Sequence, residues 1–300
     1  MTPRPDGRFA PSPSGPLHLG NLRTALVAWL FARSAGARFL VRIEDLDPAR
    51  SRREHEAGQL ADLRALGLDW DGPVVRQSAR RERHREALVQ LRTAGRVYPC
   101  WCTRAEIREA ASAAHGPSAE GAYPGTCREL SSSERAQRER SGRPAALRLD
   151  ARGARIGFED RLHGHVEQVV DDLVLWRNDD TPAYNLAVVV DDADQGVREV
   201  VRGDDLLETT PRQLLLQRLL GLRAPAYAHV PLVLGPDGTR LAKRHGAVTL
   251  AQQRSAAEAL AWMAVGLALA EPAEPIDVRT LLERFDPGTL PRTATTFDGS

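Results

Sequence analysis

One lysine is all that this chain of 300 residues contains: of its 41 Lys and Arg side chains, the single exception to arginine is Lys243. Lysine differs from arginine in offering a compact point charge on a flexible stem rather than a flat fork. Cysteine is nearly as scarce. Three cysteines, two of them spaced Cys-x-Cys, exclude a secreted disulfide framework and suit a reducing compartment and a bound metal. A surplus of charge is missing too. The net charge of +1 excludes an unselective positive coat, so a polyanionic partner must be met by local patches. The longest apolar run, ALAWMAVGLALA at 259–270, is too short to span a bilayer and reads as a buried or amphipathic helix. The opening MTPRPDGRFAPSPSG has no apolar core of the signal-peptide kind, and no repeat of fixed period is present. These absences predict a cytoplasmic protein without a membrane partner.

What is present suits a globular chain, with 42% hydrophobic and 27% charged residues and length enough for one large or two to three small domains. RFAP reads as a short strand ending in a Pro/Ser/Gly turn. LRTALVAWLFARSAG has helical apolar spacing with a glycine at its end. RFLVRIEDLD reads as a buried strand ending in acids, and REHEAGQLADLRALGLDW as another helix. Strand, turn, helix, strand, helix predicts an α/β fold with a parallel nucleotide-binding sheet. Residues 100–165 lose clear periodicity and read as an inserted subdomain. Parallel-sheet features return with AYNLAVVVDDADQG, REVVRGDDLLETTPRQLLLQRLLG and AYAHVPLVLGPDG. The last residues, TATTFDGS, carry no pattern that assigns them a role.

Two segments carry chemistry. In RFAPSPSGPLHLGN, Pro and Gly hold a loop open, and Gly20 lets a flat ligand or a phosphate approach the backbone. The helix behind it directs unpaired N–H groups and the positive end of its dipole at that spot. His18 can donate to a phosphate oxygen as charge develops in a transition state. An isolated His-x-Gly would be no more than a turn with a surface histidine; the whole run is harder to obtain by accident. The second segment, TRLAKRHGA, follows the hairpin signal LVLGPDGTRL, where a mobile loop would sit.

PSPSGPLHLGN resembles the HIGH signature of class I aminoacyl-tRNA synthetases, and RFAPSPSG resembles its glutamyl form. The signature's first His and its Gly are His18 and Gly20, and its last position is Asn21 rather than His. RLAKR at 240–244 is similar to the mobile KMSKS loop that closes over ATP, with Lys243 at the second Lys, which meets the triphosphate. Arg240, Leu241, Ala242 and Arg244 depart from that pattern. The resemblance therefore implies an ATP site of His18, Gly20, Asn21 and Lys243, with His18, Gly20 and Lys243 catalytic. It also implies a glutamate site. Arg8, Tyr184 and Arg202 would cradle the side-chain carboxylate, Glu44 would receive the ammonium, and Phe9, Ala10, Pro11 and Ser12 would complete the glutamate site. A forked cation favours glutamate over glutamine, because an amide leaves a buried charge unpaired.

Cys100, Cys102 and Cys127 offer three soft ligands where a closed zinc site wants four. Spacing leaves the fourth open between His115, the commoner ligand type, and Tyr123. The C-x-C…Y-x3-C pattern is similar to that of the glutamyl-queuosine tRNA(Asp) synthetases, and this resemblance implies Tyr123 and one structural Zn2+. The Arg-rich run at 76–96 holds Arg76, Arg80, Arg81, Arg83, Arg85, Arg92 and Arg96. It can contact RNA phosphates, but the favoured reading is a solvated helix face diluted by Glu82 and Glu86.

Full glutamyl-tRNA synthetases continue past the KMSKS loop into a long helical part that holds the anticodon, and only 57 residues follow Lys243. The resemblance thus implies a class I Rossmann-type sheet over 1–97 and 184–247, with a zinc-containing insert over 98–183. A short helical tail over 248–300 completes it. The implied activity is ATP- and Mg2+-dependent activation of L-glutamate without tRNA, then transfer to the queuosine base in the anticodon of tRNA(Asp). The expected enzyme is a monomeric ligase. A shortened glutamyl-tRNA synthetase acylating a 3′ end and a silent RNA-binding paralogue are the alternatives.

Overall fold

The computed structural model describes residues 4–103, 105–107, 123–245, 248–253 and 255–297, and of Lys243 it describes the main chain alone. The chain opens with β1 (Gly7–Phe9), α1 (Leu19–Ser34), β2 (Phe39–Ile43), α2 (Arg53–Ala65) and β3 (Val75–Arg76). β1 and β3 both pair with β2 in parallel, the arrangement that strand-helix-strand crossovers require. α1 is the core of this half. Ten apolar side chains from Leu19 to Ala32 are buried on it, around the helix rather than along one stripe, because strands and later helices pack on both sides. It ends where Gly36 takes φ +60°.

After α3 (Arg81–Thr93) the chain leaves the parallel sheet. β4 (Val97–Cys100), β5 (Ala146–Leu149) and β8 (Val174–Trp176) make a small antiparallel sheet, with α4 (Ser132–Arg140) exposed along its length. Between them β6 (Arg155–Asp160) and β7 (Gly164–Val169) form a hairpin. The parallel topology returns with α5 (Tyr184–Asp194), β9 (Glu199–Gly203), α6 (Thr210–Leu220) and β10 (Ala226–Val230). The Asp6 carbonyl accepts from the Arg198 and Glu199 amides at 2.8 and 3.2 Å, which sets β9 beside β1 and gives the order β3-β2-β1-β9-β10. β6 then joins β10 in parallel at Tyr227 and Asp160. This is the α/β class expected, with the order reversing between β1 and β9.

AYNLAVVVDDADQG is the helix α5, not sheet, despite its three successive valines. Helical spacing lets Asp191 and Asp192 reach buried cations, an outcome that outweighs β propensity. Past the hairpin, α7 (Ala256–Gly266) and α8 (Val278–Arg284) pack on α1 through Met263, Leu281 and Phe285. The unassigned tail is ordered through 297: β12 (Thr295–Thr296) pairs in parallel with β11 (Val233–Leu234), and Phe297 is buried. No helix among the described residues is long and apolar enough to cross a membrane.

Candidate active site

A cleft of about 650 Å³ opens at the carboxyl ends of β1, β2, β9 and β10. That is where the strand order reverses, the place where open α/β sheets bind ligands. Its walls are the 9–18 loop, the start of α1, Glu44 beyond β2, Tyr184 at the head of α5, and Gly203 to Leu206 beyond β9. Val233 and Arg240 of the following hairpin close it.

His18 is the N-cap of α1. Its Nδ1 accepts the Asn21 amide at 3.2 Å, and the Asn21 side chain accepts the His18 amide at 3.3 Å. The signature's departure to Asn21 therefore completes a reciprocal cap. Burial, then the positive charge of Arg240, bring the His18 imidazole down to about 4, with Asp205 opposing. A ring that is neutral and accepts at Nδ1 carries its proton on Nε2. Gly20 has a second role besides opening the backbone: a Cβ there would meet the His18 ring at 3.1 Å and Val233 at 3.3 Å.

The KMSKS-like segment runs from the hairpin to His245. Leu241 N donates to Val233 O at 2.9 Å on one side, and on the other Leu19 N donates to Val248 O at 2.7 Å. The loop is thus tied at both ends to the His18 neighbourhood, with an antiparallel bridge between His18 and Thr249. Lys243 begins a short turn to His245, whose Nδ1 accepts the Ala242 amide at 3.0 Å and whose ring packs against Gly235. The side chain of Lys243 lies outside the described residues. Arg240 lines the cleft and is paired with Asp205.

Phe9, Ala10, Pro11, Ser12, His18, Gly20, Asn21, Glu44 and Tyr184, all read from the sequence, meet in this one cleft. Arg8 and Arg202 stand behind its wall, close enough that both act on the Tyr184 phenol, which burial and Glu44 push up. Arg8 Nε is paired with Asp192 at 3.2 Å. The same carboxylate takes Arg42 NH1 at 2.6 Å, and Arg42 NH2 reaches Glu44 at 3.2 Å. Arg8, Asp192, Arg42 and Glu44 so form one alternating chain of charges beneath the cleft. Burial pushes the Asp192 carboxyl up, but Arg42 and Arg8 outweigh it and hold it below its ordinary value. At Glu44 burial wins over Arg42 and raises it. An incoming ammonium would reverse that shift.

Arg42 and Asp192 escape sequence reading: Arg42 is a single charge within the apolar strand FLVRI, and Asp192 is one of three acids in DDAD with nothing local to set it apart. Gln59 escapes it too: its amide donates to Ser12 O at 3.0 Å and Gly15 O at 2.7 Å, holding the signature loop. Five of the seven arginines of the Arg-rich run are paired with acids of the chain itself. Arg80 and Arg83 pair with Asp194, Arg81 and Arg85 with Asp180, and Arg76 with Glu56.

Far along the chain, the Cys100, Cys102 and Cys127 sulfurs lie within 4.8 Å of one another. The Tyr123 phenol is 3.4 Å from Cys100 Sγ and 3.6 Å from Cys102 Sγ, and it accepts the Cys127 amide at 2.8 Å. That amide favours a phenolate, whereas burial and the Cys100 contact push the phenol up. Burial likewise raises Cys102, to about 12. Three thiols and a phenol gathered at this separation fit a four-coordinate soft cation, which would repay their deprotonation. His115 lies outside the described residues.

The sequence matches the family model "tRNA synthetases class I (E and Q), catalytic domain" over residues 6–265. A glutamyl-Q tRNA(Asp) synthetase of Nocardia farcinica is 61% identical over 286 residues, covering 95% of this chain and 91% of that protein. A glutamate-tRNA ligase of Aquifex aeolicus is 43% identical, covering 82% of this chain and 53% of its own length. Among solved structures, a glutamate tRNA ligase from Elizabethkingia meningosepticum, in complex with its amino acid, superposes with a TM-score of 0.82. It is 27% identical and matches 98% of this chain and 67% of its own.

Proposed function

The chain belongs to the class I (E and Q) tRNA synthetases and is a ligase, and on that footing we propose that it activates L-glutamate with ATP and Mg2+, without tRNA, to glutamyl-adenylate. It then passes the glutamate to the queuosine base in the anticodon of tRNA(Asp). The observation that carries this reading is the 61% identity over 91% of the Nocardia farcinica glutamyl-Q tRNA(Asp) synthetase.

In the first step an oxygen of the glutamate α-carboxylate attacks the α-phosphorus of ATP and pyrophosphate leaves. His18 supplies its Nε2–H to a phosphate oxygen as negative charge builds, a preorganised donor in a half-closed cleft. Lys243, on the tethered loop, follows the departing pyrophosphate. Glu44 receives the substrate ammonium, and the Phe9–Ser12 backbone forms the wall beside it. Tyr184, Arg8 and Arg202 serve the side-chain carboxylate. Cys100, Cys102, Tyr123 and Cys127 would hold a structural Zn2+, which would join the end of β4 to the 123–127 turn.

Glutamate-dependent ATP–pyrophosphate exchange without tRNA tests the first step; no exchange would favour the silent paralogue. Glutamylation of tRNA(Asp) with and without queuosine, beside tRNA(Glu), tests the second. Charging of tRNA(Glu) would overturn the acceptor assignment and favour the shortened glutamyl-tRNA synthetase.

A further inference from the structure

Behind the cleft, Asp160, His229 and Arg202 form a chain across β6, β10 and β9, with His229 and Arg202 in register on neighbouring strands. The Asp160 and His229 side chains are wholly buried. Arg202 Nε donates to His229 Nε2 at 3.0 Å. An arginine N–H can only donate, so Nε2 holds the lone pair and the proton resides on Nδ1. Nδ1 faces Asp160 Oδ2 at 2.6 Å, and that carboxylate also accepts the amides of Leu162, His163 and His229. Asp160 therefore selects the tautomer, and the tautomer supplies the acceptor that Arg202 needs.

The rest of the guanidinium is held as firmly. NH1 donates to Gln213 Oε1 at 2.8 Å and NH2 to Thr210 Oγ1 at 2.7 Å, with the Tyr227 ring 5.4 Å away. Three of its five N–H groups are engaged by described residues, leaving two, the number a bidentate carboxylate contact takes. Its three partners are also uncharged. Arg8 differs, since its charge is met by Asp192 at 3.2 Å. Of the two arginines behind Tyr184, Arg202 is the one whose charge meets no acid among the described residues, and an amide side chain would leave it unanswered.

We propose that His229, with Asp160 behind it, is a positioning residue for substrate selection: it fixes Arg202 so that two N–H groups and an unanswered charge serve the glutamate side-chain carboxylate. Its premise is the reading of Arg202 as a glutamate contact. His229 touches no substrate.

The test is pyrophosphate exchange by the full chain with glutamate and with glutamine, for His229→Leu, His229→Gln and Arg202→Leu. His229→Leu should raise KM for glutamate about ten- to a hundredfold, leave KM for ATP unchanged, and narrow the preference for glutamate. His229→Gln, which keeps an acceptor, should recover most of the loss. A merely structural role would move both KM values together and gain nothing from Gln; either result overturns the proposal. If Arg202→Leu raises KM for glutamate while His229→Leu does not, the positioning role falls and the glutamate site stands. If Arg202→Leu has no effect, the premise itself fails. Should His229→Leu not fold, nitrogen-15 spectra of histidine-labelled wild type decide. A neutral Nδ1–H tautomer for His229 that responds to glutamate supports the role, and an Nε2–H tautomer overturns it.

Discussion

With Nδ1 committed to the Asn21 amide and the ring held near pKa 4, the Nε2 proton that His18 is proposed to offer to a phosphate does not come and go across the physiological range. His18→Asn keeps an N-cap acceptor but loses the Nε2–H, so exchange should fall about 10²–10³-fold while stability changes little. The pH dependence follows in sign. The unfolded chain takes up a proton at this histidine near its ordinary 6.5, the folded chain only near 4, so the favourable contribution is present above 6.5 and shrinks as pH falls through that window. Melting curves should show wild type losing stability between those values more steeply than His18→Asn. An acid limb near 6.5 in wild-type exchange that disappears in His18→Asn would contradict the assignment. At this scale the sequence is readable where a residue belongs to a compact motif, as His18, Gly20 and Asn21 do. It is silent on Arg42 and Asp192, whose meaning arises only when β2 and α5 are brought together.

Among the elements, α5 teaches most. Its valines suggest a strand, yet as a helix it delivers Asp191 to Arg80 and His84, and Asp192 to Arg8 and Arg42. Asp192→Asn should leave buried Arg8 without an acid and Arg42 with Glu44 alone, and cost about 3–5 kcal/mol in urea denaturation. A loss under 1 kcal/mol would show that the charge chain relaxes without it. The KMSKS-like loop carries a different kind of expectation, of rate rather than stability. Lys243→Arg keeps the charge but replaces a small ammonium with a broad fork, so exchange should slow about tenfold or more with an unchanged melting temperature. Wild-type rates in that variant would reduce the lone lysine to coincidence. The hairpin before the loop was legible from its Pro-Asp-Gly turn; the strap to Leu19 was not, because it joins residues more than two hundred positions apart.

For the whole molecule, the parallel sheet could be read from its alternation of strand and helix, whereas the insert could be read only as a break in that pattern, its short antiparallel strands and turns leaving no period of their own. The cysteine spacing was informative there because three sulfurs and a phenol converge from the end of β4 and the 123–127 turn. Cys127→Ser and Tyr123→Phe should each lower bound zinc well below one equivalent per chain by atomic absorption, with Cys127→Ser the more severe. Undiminished metal in both would remove the assignment. The tail was illegible for a related reason: Thr295 and Thr296 gain their role only from β11, the base of the hairpin.

The double tether of the loop makes Lys243 more than a candidate ligand. Since no other side chain in the molecule bears a primary amine, an amine-directed fluorophore applied after the terminal amino group has been blocked near neutral pH would mark one position, a few residues from each strap. The chain thus comes with a natural single-site reporter on its KMSKS-like loop, and ATP, glutamate and RNA can each be asked in turn whether they move it.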